Sequence, residues 1–239
     1  MILWYSIVGD IMKEKKHLFI YLIIVVILVS LITIFGLNIY SKKALDSEVK
    51  ELLTKDANKD KYDVKTKALF SYGKVEKAIK EYMKDYSDNI KKADDIINDE
   101  TIKVILSSSN YTSDGPSFDK SLKLLDDKQK EFNNIINKLL KMTDEKEIMK
   151  YINKYKLSDK YIKIYKDYMF GKKYKEDVEN NKNIINKIND TGTKILNTDR
   201  SVLTLLKDNP DSWKMEEGTI SFYSTSRMEQ YNNLVHSLK

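Results

Sequence analysis

Leu18 to Tyr40, LFIYLIIVVILVSLITIFGLNIY, is a run of 23 residues without a charge, and only Ser30, Thr33, Gly36 and Asn38 break its hydrophobicity. As a helix it would be about 34 Å long, against a bilayer hydrocarbon core of about 30 Å. Seventeen of its residues are Leu, Ile, Val or Phe. Their insertion would favour the bilayer by about 5–10 kcal/mol before the small polar penalties. A buried helix of a soluble protein is the alternative, but such helices seldom stay apolar on every face for six turns. A cleaved export signal would have a shorter core and a small-x-small site after it. Lys42-Lys43-Ala44 puts a charge where a small residue is wanted. The run therefore reads as an uncleaved signal anchor, with the lipid bilayer as partner of Leu18 to Tyr40.

Orientation follows less directly. Lys13, Lys15 and Lys16 precede the run, whereas Lys42, Lys43, Lys50, Lys55 and Lys59 follow it within 20 residues. Counting lysines alone would turn the N-terminus outward. The compact KEKKH ahead of the apolar run is an export n-region, and long domains translocate largely regardless of charge. The expectation is a cytoplasmic N-terminus and a C-terminal region outside the membrane. Met12 followed by Lys-Glu-Lys-Lys looks like a true start, which would make residues 1–11 an over-extended reading frame. The rival reading is an interfacial segment with Trp4 and Tyr5 at the headgroups. The expected organisation is a tail over 1–17, the anchor over 18–40, a charged stalk over 41–63 and a helical bundle over 64–239. Neither a cytoplasmic output domain nor a second span is expected, so the chain is not a complete signalling receptor.

Only 7 Gly and 2 Pro occur in 239 residues. Long helices are favoured over a sandwich or a Gly-rich α/β sheet, and the expected fold class is all-α. Tyr72, Val75, Ile79, Tyr82, Tyr86, Ile90, Ala93 and Ile97 recur in seven steps over 25 residues, about 3.6 per step, which marks an amphipathic helix. The pattern extends through Ile102, Ile105 and Leu106. Ser107–Ser117 reads as a loop, with Pro116 in the first turn of the next helix. Phe118, Leu122, Leu125, Phe132, Ile136 and Leu139 define that helix, so the two form an antiparallel hairpin with Ile79 and Ile136 on facing seams. Lys80, about 100° round from Ile79, is expected on the solvated side. Thr143 and Ser158 are expected to cap helices over 144–156 and 159–170. A long helix over 174–207 carries Val178, Ile185, Ile188, Ile195, Val202 and Leu206, and Asn189–Gly192 is expected to kink or split it. Trp213–Ser224 alternates as a small β-hairpin, or else forms an irregular plug. Ser226 and Glu229 are placed for a capping box ahead of a last helix.

The absence of cysteine excludes disulfides, thiolate metal sites and thiol nucleophiles. The two histidines, His17 and His236, supply neither a metal pair nor a catalytic triad. There is no Gly-rich phosphate loop. The net charge is +6, but 42 Lys and Arg are interleaved with 36 Asp and Glu. Only Arg200 and Arg227 offer a guanidinium fork, so nucleic acid is disfavoured as a partner. Asp56, Asn58 and Asp60 imitate a calcium loop, but Lys61 and Lys67 stand where Gly and Glu belong. Asp94–Asp95 and Asp126–Asp127 are carboxylate pairs of the kind a glycosidase uses, here among lysines on expected surface faces.

One surface invites a ligand. Tyr161, Tyr165 and Tyr168 share a helix face and alternate with lysines, which suits a glycan, a wall polyanion or an envelope protein; packing of small helices is the plainer explanation. No catalytic, cofactor or metal residues are assigned. The function expected is that of a membrane-anchored binding or scaffolding module of the bacterial envelope. The alternatives are a sensory or regulatory module acting through a membrane partner, and a wall-active enzyme with acidic residues.

Overall fold

The structure, a computed structural model, describes the backbone of residues 2–52 and 62–237. Side chains are described from Val26 onward, apart from residues 31, 172–175, 177 and 178. The fold is all-α, with one two-stranded antiparallel sheet among the described residues. The calcium-loop look-alike at Asp56–Asp60 lies outside the described residues. The chain divides into two compact units, residues 1–54 with 65–77 and residues 55–64 with 78–239.

In the first unit, α1 runs unbroken over Ile2–Leu52. It is long and apolar enough to cross a membrane. Ser30, Thr33 and Asn38 each turn their side-chain donor back to the carbonyl four residues earlier, so the polar side chains within the run are satisfied inside the helix. From Ser41 on the pattern changes. Leu45, Val49 and Leu52, at steps of four and three, are buried, as are Ala68, Tyr72 and Val75 in the same unit. Residues 41–52, expected in a stalk, thus continue the helix with one buried stripe.

Helix α2 spans Phe70–Ile97. Its expected seam is buried, from Tyr72 to Ala93, with Ile97 half-exposed. Lys80 is a correction: it is only 5 % exposed. Around this position α2 shows water a narrow stripe through Lys74, Lys77 and Lys84, and Lys80 falls outside it. The helix also stops earlier than its periodicity suggests. Asp99 caps a separate turn, α3 (Glu100–Lys103), by accepting from Thr101 N–H at 2.8 Å. Lys128, 2.7 Å from Asp99, holds that carboxyl well below the usual range.

The Ser107–Ser117 segment is not simply a loop. Ser107 caps α4 (Ser108–Asp114), and α5 begins only at Asp119 and runs to Met142. Pro116 therefore precedes α5 rather than opening it. The cap of α5 comes from Asp114, whose carboxylate accepts from Ser121 N–H at 2.8 Å and Ser121 Oγ at 2.7 Å. Thr143 is likewise not the cap of the next helix. It closes α5, its hydroxyl donating to Leu140 O, and Asp144 occupies the N-cap of α6 (Glu145–Asn153). Ser158 is the N-cap of α7 (Asp159–Met169), as expected.

Helix α8 spans Lys172–Lys207 without a split at Asn189–Gly192. Gly192 serves packing instead. A Cβ on it would overlap the ring of Phe132 on α5, a buried residue, so the helices meet at this point. Lys207 with Asp119 at 2.8 Å and Arg200 with Asp126 continue the same antiparallel register. Helix α2 is also antiparallel to α5: Asp99 meets Lys128, whereas Tyr82 OH donates to Met142 O at 3.1 Å. The second unit is thus built on α2 (from Ala78), α5 and α8.

After a 3-10 turn at Pro210–Ser212 come β1 (Trp213–Glu216) and β2 (Thr219–Phe222), the expected hairpin. Trp213 pairs with Phe222 and Met215 with Ile220. Glu217 and Gly218 have φ of +48° and +77°, the signature of a two-residue turn matched to strand twist. The last helix, α9 (Thr225–His236), is capped by Ser224 through Arg227 N–H, two residues before the Ser226 box anticipated from sequence.

Gly192→Ala tests the α5–α8 contact. Helix propensity favours Ala by about 1 kcal/mol, but overpacking typically costs about 1–3 kcal/mol, and the buried ring of Phe132 would have to shift. The expected net loss is about 1–2 kcal/mol in thermal unfolding of the detergent-solubilised chain, partly recovered by Phe132→Leu. Thr191→Ala, one exposed position away, should change stability by no more than about 0.5 kcal/mol. Equal effects at the two positions would show that the helices do not touch at Gly192.

Candidate functional site

A groove of about 490 Å³ lies in the second unit between the last turns of α2 and the middle of α8. Ile90, Ile97 and Ile188 give it an apolar floor. Lys91, Asp94, Asp95 and Lys187 give it a rim of both signs. Its sequence origin is the apolar stripe of α2, which ends in the half-exposed Ile97, together with the half-exposed Ile188 of α8.

The carboxylates of this groove do not make a hydrolytic pair. Asp94 and Asp95 are consecutive on one helix, so their side chains diverge by about 100° instead of flanking a common bond. Both are exposed, and Asp94 Oδ1 accepts from Asn98 Nδ2 at 3.0 Å. Asp126 and Asp127 are exposed as well, with Asp126 engaged by Arg200. Among the described residues, no group of three or more His, Cys, Asp and Glu side chains could hold a metal ion.

The tyrosine face on α7 divides. Tyr165 is fully buried and its hydroxyl donates to Ile148 O at 2.9 Å, tying α7 to α6. Tyr161 and Tyr168 are half-buried at the surface, with Lys160 over the Tyr161 ring at 5.5 Å. The two tyrosines on either side of Lys154 are committed to α2. Tyr151 OH donates to Asp85 at 2.8 Å and Tyr155 OH to Glu81 at 2.9 Å. Burial, reinforced by the Glu81 carboxylate, pushes the Tyr155 hydroxyl up to about 12. Lys154 lies over both rings and pairs with Glu81 at 2.6 Å. Tyrosine and lysine alternate here largely because the end of α6 is fastened to the acidic flank of α2, while α7 packs on α6. A ligand on this face would meet Tyr161 and Tyr168, not Tyr165.

A polar core at the other end of the unit was not anticipated from the sequence. Tyr111, Phe118 and Trp213 form an aromatic cluster with centroids 5.8–6.3 Å apart. Trp213 Nε1 donates to Leu206 O at 2.9 Å. Tyr111 and Tyr231 share a hydrogen bond of 3.0 Å between hydroxyls, which pins α9 to α4. Asp199 is 3 % exposed and its charge is felt by Tyr111, yet among the described residues it receives no hydrogen bond and forms no ion pair. Burial alone pushes its carboxyl up to about 7. Its neighbour Arg200 turns to Asp126 instead. A sequence signal did exist: Leu196, Asp199, Leu203 and Leu206 step by three, four and three, so the Asp sits on the seam of the helix.

The buried Asp199 makes stability pH-dependent. Its folded pKa lies above the unfolded value of about 3.9, so between pH about 4 and 7 the folded chain keeps a proton that the unfolded chain releases. Stability from this group is present at low pH and is lost as pH rises through 7. Asp199→Asn removes the ionised state and should raise the melting temperature at pH 8, by the equivalent of on the order of 3–4 kcal/mol at most. At pH about 3.5, where both states keep the proton, the substitution should change little. Circular-dichroism melts of both proteins at the two pH values check this, and an equal effect at both would show that Asp199 does not titrate in the fold.

No protein-family model, curated protein or solved structure matches this chain.

Proposed function

We propose that the protein is a single-pass membrane protein of the bacterial envelope, with a cytoplasmic N-terminus and its helical region outside, acting as a binding or scaffolding module without catalysis. One observation carries the reading. Every described residue from Val26 to Tyr40 is exposed or half-exposed although ten of the fourteen are large and apolar, and burial begins abruptly at Ser41. A helix apolar on all faces and uncovered by its own protein calls for an apolar solvent. The binding role draws on the α2–α8 groove, whose floor and two-sign rim suit a polymer or an envelope-protein segment. It needs no cofactor.

A second reading, a sensory or regulatory module acting through a membrane partner, is favoured by the continuity of α1. The helix passes without a break from the apolar run to Leu52, so displacement of the span is transmitted stiffly to residues 41–52. Both readings place the same region outside the membrane.

The expected outcome is that the full-length chain resists carbonate extraction and that a reporter active only outside the membrane works when fused after Lys239. Release of a shorter soluble form would show a cleaved signal, and activity of a cytoplasmic reporter alone would reverse the orientation. In-cell photocrosslinking from Ile97 in the groove and from Tyr161 on α7 then separates the two candidate surfaces. Adducts from Ile97 alone identify the groove, adducts from Tyr161 alone identify the tyrosine face, and adducts from neither overturn the binding role.

A further inference from the structure

The chain returns to α1 within the first unit. Leu69 N–H donates to Ser41 Oγ at 3.2 Å. Ser41 is the first residue after the uncharged run, so Leu69 and the adjoining Phe70 stand beside its end. The turn that carries them is firmly held. The Glu76 carboxylate accepts from Lys67 N–H at 3.0 Å and Ala68 N–H at 2.8 Å. Gly73 N–H donates to Leu69 O at 3.1 Å, and a Cβ on Gly73 would stand 2.5 Å from Ala68 O. The Lys67 ammonium pairs with Glu48 and Glu51, farther along α1.

The tip of this fixed turn is apolar and uncovered. Leu69 is 40 % exposed and Phe70 is 70 % exposed, as open as Phe35 inside the apolar run at 69 %. Phe70 also has φ of +51°, a left-handed conformation that is unfavourable for a bulky side chain and would be relaxed by Gly. A large ring held open on a fixed turn beside an apolar run is suited to apolar surroundings. Its surroundings are continuous with the surface of α1, where Tyr40 is 58 % exposed and Lys42 and Lys43 are exposed. Aromatic rings with lysines just beyond them are the residue types that occupy the boundary between acyl chains and phosphates.

We propose that Leu69 and Phe70 form a second bilayer contact, inserted into the interface beside the end of the α1 span. The proposal rests on the reading of α1 as membrane-spanning and adds what a single helix cannot supply. A lone span is free to rotate about its axis and to slide by a residue or two. A second contact, fixed to α1 through Ser41 and Glu48, sets its rotation and depth.

The chain has no cysteine, so single labels are clean. Phe70→Cys, Ile34→Cys and Glu51→Cys are each labelled with an environment-sensitive fluorophore in the full-length protein. The labelled proteins are reconstituted in phosphatidylcholine–phosphatidylglycerol vesicles carrying a doxyl quencher high on the acyl chain. Interfacial segments bury their apolar face about 5–10 Å into the boundary, so the Phe70 label should lose about half its emission, as should the Ile34 label. The Glu51 label, well beyond Ser41 on the same helix, should keep nearly all of it. In a Phe70→Gly background, which relaxes the left-handed backbone, a label at Leu69→Cys should lose less emission than in the parent. Quenching at Ile34 with Phe70 no more quenched than Glu51 overturns the second contact and leaves the span intact. That is also the result expected if another copy of the chain covers Phe70. Failure to quench Ile34 overturns the span itself, and the second contact with it.

Discussion

The first unit is organised by a change of side-chain character along one continuous helix. From Val26 to Tyr40 the described side chains of α1 are mostly apolar and stay uncovered. From Ser41 the same helix is amphipathic, with Leu45, Val49 and Leu52 buried and Lys42, Lys43 and Lys50 outside. The backbone needs no adjustment at the boundary because an α-helix satisfies its own peptide groups in either medium. What must change is the side chains, and Ser41 is where the change is made. Its hydroxyl is buried and receives Leu69 N–H, so the first polar group after the apolar run fastens the returning chain.

The second unit relies on a different device. Its three long helices are closed around α5, and α8 approaches α5 closely because Gly192 has no side chain where Phe132 lies. Aromatic residues then fill the ends. Tyr165 secures α7 on α6, and the Tyr111–Phe118–Trp213 cluster receives the hairpin and α9. The same end holds Asp199, a carboxyl that the core accepts most readily with its proton on. The groove between α2 and α8 is lined by Ile90, Ile97 and Ile188, at the margins of their apolar stripes.

The main elements were legible because period alone places them. The α2 and α5 stripes, the uninterrupted apolar run and the alternating residues around Glu217-Gly218 all specify local geometry without knowledge of a neighbour. Misreadings gather where a residue has two physical uses. Gly192 looks like a helix breaker, but its missing Cβ admits a ring from another helix. Thr143 looks like a start signal, but its hydroxyl ends the helix before it while Asp144 starts the next. Ser226 and Glu229 have capping-box spacing, but Ser224 takes the cap first. Lys80 has the chemistry of a surface residue at a position that little water reaches. Of the tyrosines on the α7 face, spacing identified the shared face, and only packing could assign Tyr165 to the interior.

The sequence by itself determined that one segment suits a bilayer, that the remainder is helical and that thiol chemistry is absent. These properties follow from side-chain transfer energies, periodicity and composition, which are local quantities. The tertiary structure decided which polar residues are desolvated, where two apolar stripes leave a groove and which apolar residues stay uncovered. Asp199, Glu76 and Phe70 are ordinary letters in the chain. Each acquires its character from atoms that the fold brings to it: helices that surround Asp199, the Lys67–Ala68 backbone that Glu76 holds, and the end of the apolar run beside which Phe70 is left exposed.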